Sequence, residues 1–170
     1  MANVYRLPVK EMIIEDAVAA EELMRFCKDS ASFYLHLANS VEIYLLRNCC
    51  FIASRKRRLI ANDLREEIDG LFIDGLFNEK ITKDDSQKLA IRQWYPKAEN
   101  ILLQNSDLDF FKQLMARERD TLAELRERVR KMQTSRFSDL MSFHVASIQI
   151  THDYMKSAVE VINYKKEGDQ

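Results

Sequence analysis

From Ser106 to Gln133 the chain reads SDLDFFKQLMARERDTLAELRERVRKMQ, and no other stretch constrains the fold as much. Apolar residues fall at Leu108, Phe111, Met115, Leu122, Leu125, Val129 and Met132, in steps of three and four, with Glu118 interrupting the run. This is the seam of a helix in a bundle. The opposite face is charged, and Glu124–Arg128 and Glu127–Lys131 are acid-before-base pairs four apart that favour helix. Ser106, Asp107 and Asp109 supply a cap and negative charge at the positive helix end. Such a helix needs others to cover its seam. With only 3 Gly and 2 Pro in 170 residues, the chain has few points at which helices must stop. The predicted class is all-α: one antiparallel bundle of four to five helices spanning residues 1–170, with 1–9 as a lead-in and 166–170 as a frayed tail.

Helical spacing elsewhere supplies the partners. From Lys10 to Arg58 there is neither Gly nor Pro, and apolar residues recur every three or four positions from Ile13 to Ile52. The pattern predicts one long helix bent at Asp29-Ser30, or two helices with a break near Lys28-Asp29-Ser30. A second helix is expected from Leu59 to Phe77, a loop from Asn78 to Asp84, and a third helix capped by Thr82 that bends or divides at Pro96. After the organising helix, a last one is expected from Ser138 to Lys165, with Met141, His144, Ile148, His152, Met155, Val159 and Ile162 on one face.

Composition narrows the function classes. Apolar residues make up 46% and charged residues 31%, and the formal net charge is −1, so no global field draws the chain to nucleic acid or an anionic membrane. Cys27, Cys49 and Cys50 are odd in number and form no CxxC pair, which argues against a disulfide framework or a cysteine zinc site. The first sixteen residues have no apolar run of the signal-peptide kind. Ser30–Ser54 is the most apolar stretch, but His36, Glu42 and Arg47 interrupt it, so a buried helix is expected rather than a membrane span. A cytoplasmic protein is the expectation.

The chemistry-bearing residues are few. His144 and His152, with Asp153, are the candidate metal ligands, but no histidine has the Glu three residues earlier that di-iron bundles use. His152-Asp153-Tyr154-Met155-Lys156 resembles the phosphoacceptor segment of sensor histidine kinases and sporulation phosphotransferases. That resemblance makes His152 a candidate phosphoacceptor, with a partner as the phosphate donor because the chain has no glycine-rich nucleotide loop. The tail from Ser142 to Gly168, through Asp153, Val161, Ile162, Tyr164 and Gly168, resembles the last helix of PhoU-like proteins, helical-bundle regulators of phosphate transport and signalling. Leu64–Leu89 is loosely similar to them as well. The resemblance implies a phosphate-signalling role. The family's metal pattern has an acidic residue four before an Asp, and here Gln149 stands four before Asp153.

Arg55-Lys56-Arg57-Arg58 is the densest basic patch. No aromatic residues are interleaved with it, so nucleic acid is not implied. Asp74–Asp85 lacks the glycine and terminal glutamate of a calcium loop. Arg65–Asp69 is acidic but has no matching second acidic helix, and no nucleophile constellation or phosphate loop is present. No cofactor is implied. The reading is a non-catalytic regulator or adaptor that binds another protein and forms a homo-oligomer through its seams. Cys49, Cys50, Arg55, Lys56, Arg57, Arg58, Trp94 and Tyr95 are the candidate contact residues.

Overall fold

The computed structural model describes residues 9–73 and 87–170. Within them the chain forms five helices and no strand: α1 (Val9–Ser40), α2 (Tyr44–Ile73), α3 (Ala90–Gln104), α4 (Asp107–Arg130) and α5 (Ser135–Gly168). None is long and apolar enough to cross a membrane.

Side-chain contacts fix the direction of each helix. Ser54 of α2 donates to the Ala31 carbonyl of α1 across a short turn, so α1 and α2 run antiparallel. Arg126 meets Gln149 and Lys112 meets Asn163, which sets α4 antiparallel to α5. Arg136 of α5 pairs with Glu67 of α2. Arg92 of α3 reaches Glu22 and Asp29, while Glu99 stands 3.6 Å from His36, so α3 runs parallel to α1. Among the described residues, successive helices thus alternate in direction. The expected α-helical bundle is the architecture found.

The seam of α4 is buried as its spacing predicts: Leu108, Phe111, Leu122 and Leu125 are almost fully covered. Ser106 caps the helix by accepting from the Asp109 amide at 3.2 Å. At the α1–α3–α4 junction, Phe33 stacks on Tyr95 at 4.3 Å and Trp94 on Phe110 at 5.9 Å between centroids. These aromatic groups fill the space beside the shortest helix.

Several boundaries differ from the sequence expectation, including those of the last helix, which runs from Ser135 to Gly168 in place of a tail frayed from 166. The first break lies at residues 41–43, not at Asp29-Ser30, where α1 is continuous. The physical cause is distant in sequence. Asp107 Oδ2 accepts from the Glu42 amide at 3.0 Å, and the Arg47 guanidinium donates twice to the Val41 carbonyl at 3.1 and 3.0 Å. No boundary exists at Leu59, because nothing between Arg55 and Ile60 ends a helix and α2 runs through it. At Pro96, where a bend or a division was expected, α3 is undivided, with Pro96 exposed inside it. The expected Asn78–Asp84 loop, the Thr82 cap and the lead-in to Pro8 fall outside the described residues.

A buried carboxylate likewise holds the α4–α5 turn. Asp16 of α1 accepts from the Gln133 amide at 3.1 Å, the Thr134 amide at 2.8 Å and the Thr134 hydroxyl at 2.6 Å. Removing a buried acceptor strands its donors. Asp16→Ala is expected to lower stability by about 2 kcal/mol in urea unfolding. A loss within ~0.5 kcal/mol, the range of ordinary surface changes, would show that the clasp does not hold the turn.

Candidate functional site

Four consecutive basic residues on a helix project about 100° apart, so one of the run Arg55–Arg58 must face inward once α2 is packed on both sides. That residue is Arg57, which is fully buried. Its Nη2 donates to Glu118 Oε1 at 2.5 Å, and its Nη1 to Ser30 Oγ at 3.4 Å. The guanidinium carbon lies 5.1 Å from the centroid of the Phe26 ring and 5.7 Å from that of Tyr34. The second oxygen of Glu118 is 3.2 Å from His152 Nδ1. Glu118, which interrupts the apolar seam of α4, is therefore the bridge at the centre of the bundle. α1, α2, α4 and α5 each contribute to this cluster.

Burial sets the electrostatics. It opposes ionisation of Glu118, but Arg57 and His152 outweigh it, and the carboxyl is held below its ordinary range. Burial also opposes the charge on Arg57, and Glu118 reverses that effect. Desolvation pushes the Cys27 thiol up to about 12 and raises the Tyr34 and Tyr95 phenols well above their usual value. Glu118 adds to the shift at Tyr34, yet neither phenol oxygen reaches hydrogen-bonding geometry with a protein group. These thiol and phenol groups are protonated at neutral pH. The cluster is a closed ionic knot whose members no external substrate can reach.

Several sequence expectations are corrected here. His152 is buried against Glu118, so its imidazole is not the exposed nucleophile that phosphotransfer needs. His144 is buried two turns away on α5, while Asp153 is exposed and accepts from Gln149 at 2.8 Å. The three do not converge, and no group of three His, Cys, Asp or Glu among the described residues could hold a metal. Cys49, Cys50, Trp94 and Tyr95 are core residues rather than contact residues, because each faces a neighbouring helix. Of the basic run, Arg55, Lys56 and Arg58 remain on the surface.

The exposed apolar residues are elsewhere. On α5, Phe143, Ile150, Tyr154, Val161 and Tyr164 are 67%, 69%, 48%, 48% and 78% exposed. Their steps of seven, four, seven and three form a second apolar stripe beside the buried one. On α2, Ile52 and Leu59 are also exposed. The antiparallel register set by Glu67 and Arg136 puts Leu59 level with His144 and Ile52 level with Thr151. On α2 the two apolar residues alternate with exposed Lys56 and Asp63, so the continuous apolar stripe is that of α5, with Ile52 and Leu59 beside it. Sequence reasoning used the seam at Met141 and His144 and missed this second stripe, whose signal is that α5 is apolar on more than one side.

At the edge of this face sits His144, buried under the Phe143 ring at 5.4 Å between centroids. Neither ring nitrogen has a hydrogen-bond partner among the described residues. A second feature, an open groove of about 460 Å³ between α1 and α3, is lined by Phe33, Leu37, Tyr95 and Pro96. The groove's cation, Arg92, is already engaged by Glu22 and Asp29.

No family model matches the chain, and no curated protein or solved structure shows significant similarity to it.

Two measurements test the local physics. Glu118→Leu leaves the buried Arg57 charge unpaired and Arg57→Met leaves Glu118 with His152 in place of its guanidinium partner; each is expected to cost about 3–5 kcal/mol, whereas the double variant recovers most of that loss. Additive losses in a double-mutant unfolding cycle would contradict the pairing. For His144, burial lowers the pKa from its ordinary 6.5, with the positive Lys56 adding to the shift and Asp63 opposing it. Between the folded value and 6.5 the unfolded chain binds a proton that the folded chain refuses. Stability should therefore fall as pH drops through about 6.5 towards the folded pKa. His144→Leu is expected to flatten that slope in unfolding curves taken at stepped pH, and an unchanged slope would assign it to other groups.

Proposed function

We propose that this chain is a non-catalytic helical-bundle regulator or adaptor of the cytoplasm, which acts by holding another protein chain against the α2–α5 face. The observation that carries the reading is the exposed stripe of Phe143, Ile150, Tyr154, Val161 and Tyr164 on α5, with Ile52 and Leu59 of α2 also exposed nearby. Scattered apolar residues on a surface need no explanation, but a contiguous patch of large ones marks an interaction site. Three of its residues, Phe143, Tyr154 and Tyr164, are aromatic, the type enriched in the buried centres of protein interfaces. Arg57, Glu118 and His152, the charged centre of the core, are engaged with one another, which supports binding over chemistry.

The test is a photo-crosslinker, benzoylphenylalanine, placed at Phe143 or Tyr154, with Arg119 on the exposed face of α4 as control. Irradiation in the native cell is expected to give a discrete protein adduct from the two α5 positions and none from the control. Equal labelling at all three positions, or no adduct at any, would remove the reading.

A further inference from the structure

The outer stripe of α5 has a register of its own. Written as a seven-residue repeat with Tyr154 and Val161 at position a, its a and d positions hold Leu140, Phe143, Ile150, Tyr154, Val161 and Tyr164. Ser147 and Ser157 take the remaining places. Apart from the half-buried Leu140, these apolar residues are exposed. Such a repeat is the spacing at which one helix packs along another. The seam covers about 36 Å of helix at 1.5 Å per residue. Its two edges differ. Position e holds Phe137, His144, Thr151 and Ala158, all buried, and then the exposed Lys165. This edge faces α2, whose Lys56 and Asp63 act on His144 with opposite signs. Position g, on the edge away from α2, holds Asp139, Asp153, Glu160 and Glu167, all exposed, with Ala146 the exception. Gln149 donates to Asp153 at 2.8 Å and Asn163 to Glu167 at 3.0 Å. The nearby cations of α4, Arg126 and Lys112, are spent on those amides. Among the described residues, the ion pairs of α5 are those of Arg136 and His152, so the four carboxylates, and Lys156 beside them, stay open.

We infer that α5 takes a basic amphipathic helix of another protein, laid along Leu140 to Tyr164 as the second strand of a short coiled coil. The inference rests on the interaction reading above and names the chemistry of the partner. The partner's apolar residues fill the a and d seam, and a row of Lys or Arg along one of its edges meets the acidic column. In paired helices such edge charges choose partner and orientation. Exposed ion pairs add little affinity, whereas like charges set opposite each other exclude a wrong partner. A second copy of this chain is such a wrong partner. Laid antiparallel, two α5 helices set acidic column against acidic column. Laid parallel, they set it against position e, whose residues from Phe137 to Ala158 are buried in the bundle. An anionic lipid surface meets the same repulsion. The α2 edge chooses neither sign, because its Lys56 and Asp63 carry opposite charges.

The probes are two synthetic peptides of roughly 28 residues, four heptads long, with Leu at a and d and either Lys or Glu at every e and g position. Each carries a dye, and its fluorescence anisotropy is read against the full chain at about 0.15 M salt, where diffuse surface attraction is screened. The Lys peptide is expected to bind about tenfold more tightly than the Glu peptide. Asp153→Lys with Glu160→Lys should invert that preference, and Ile150→Asp should abolish binding of both. Glu99→Lys, exposed on α3, is the control and should change nothing. All these positions are exposed, and unchanged helical circular dichroism checks the fold. A Glu peptide bound as tightly as the Lys peptide, no binding of either, or binding that survives Ile150→Asp would overturn the inference. If neither peptide binds while the crosslinker at Phe143 still captures a discrete protein, the interaction reading stands and the basic helix does not. An adduct at twice the 20.0 kDa chain mass would make the occupant a second copy and overturn the inference in the same way. If neither peptide nor adduct appears, both readings fall.

Discussion

The Arg57 guanidinium has one carboxylate within reach in the middle of the bundle, and Glu118 has one guanidinium. Moving α2 along α4 by a single turn, about 5.4 Å, would leave both charges unpaired in an apolar interior. Apolar seams do not resist such a slip strongly, because residues three and four apart present similar surfaces after it. A charge pair does, since the penalty for a stranded buried ion is several kcal/mol. Ser30, Phe26 and Tyr34 bring α1 to the same centre, and His152 brings α5. The knot acts on register more than on net stability, because desolvation offsets most of what the pairing contributes.

The same logic recurs at the helix ends. Glu22 accepts from the Leu89 amide at 2.9 Å and binds Arg92, Asp107 holds the α1–α2 turn, and Asp16 holds the α4–α5 turn. In each case a carboxylate of one helix satisfies the loose amides at the start of another. Helix starts carry unpaired amides and partial positive charge, so a carboxylate there serves both needs. Thr134, at the N-cap of α5, makes no cap bond of its own and instead donates to Asp16. The helix ends are therefore fixed by tertiary contacts as much as by local capping.

This explains which parts of the fold were legible in the sequence. The seam of α4 and its Ser106 cap are local features, and spacing alone locates them. The bend expected at Asp29-Ser30 and the break found at 41–43 differ because the latter depends on Asp107, sixty-five residues from Glu42. A single sequence offers no signal for such a partner. The inward turn of Arg57 is hidden by its exposed basic neighbours, although helical geometry requires one residue of the run to point in. Glu118 was visible as an interruption, and its role became clear only once Arg57 stood across the core from it. The exposed aromatic stripe of α5 was overlooked because the buried stripe already accounted for a helix of that period.

α5 therefore has two duties on adjacent faces. Its inner face delivers His152 to the knot and packs Met141, Ile148 and Met155 into the core. Its outer face carries Phe143, Ile150 and Tyr154 beside Ile52 and Leu59 of α2. Because Arg57 and His152 meet at Glu118, the relative position of α2 and α5 is set from inside the bundle. The outer face inherits that rigidity. A surface already held in its bound arrangement loses little entropy when it docks, and affinity depends on that saving as well as on area. A buried charge pair that contributes little net stability can thus still shape binding, by fixing the spacing of the two helices that carry the proposed binding face.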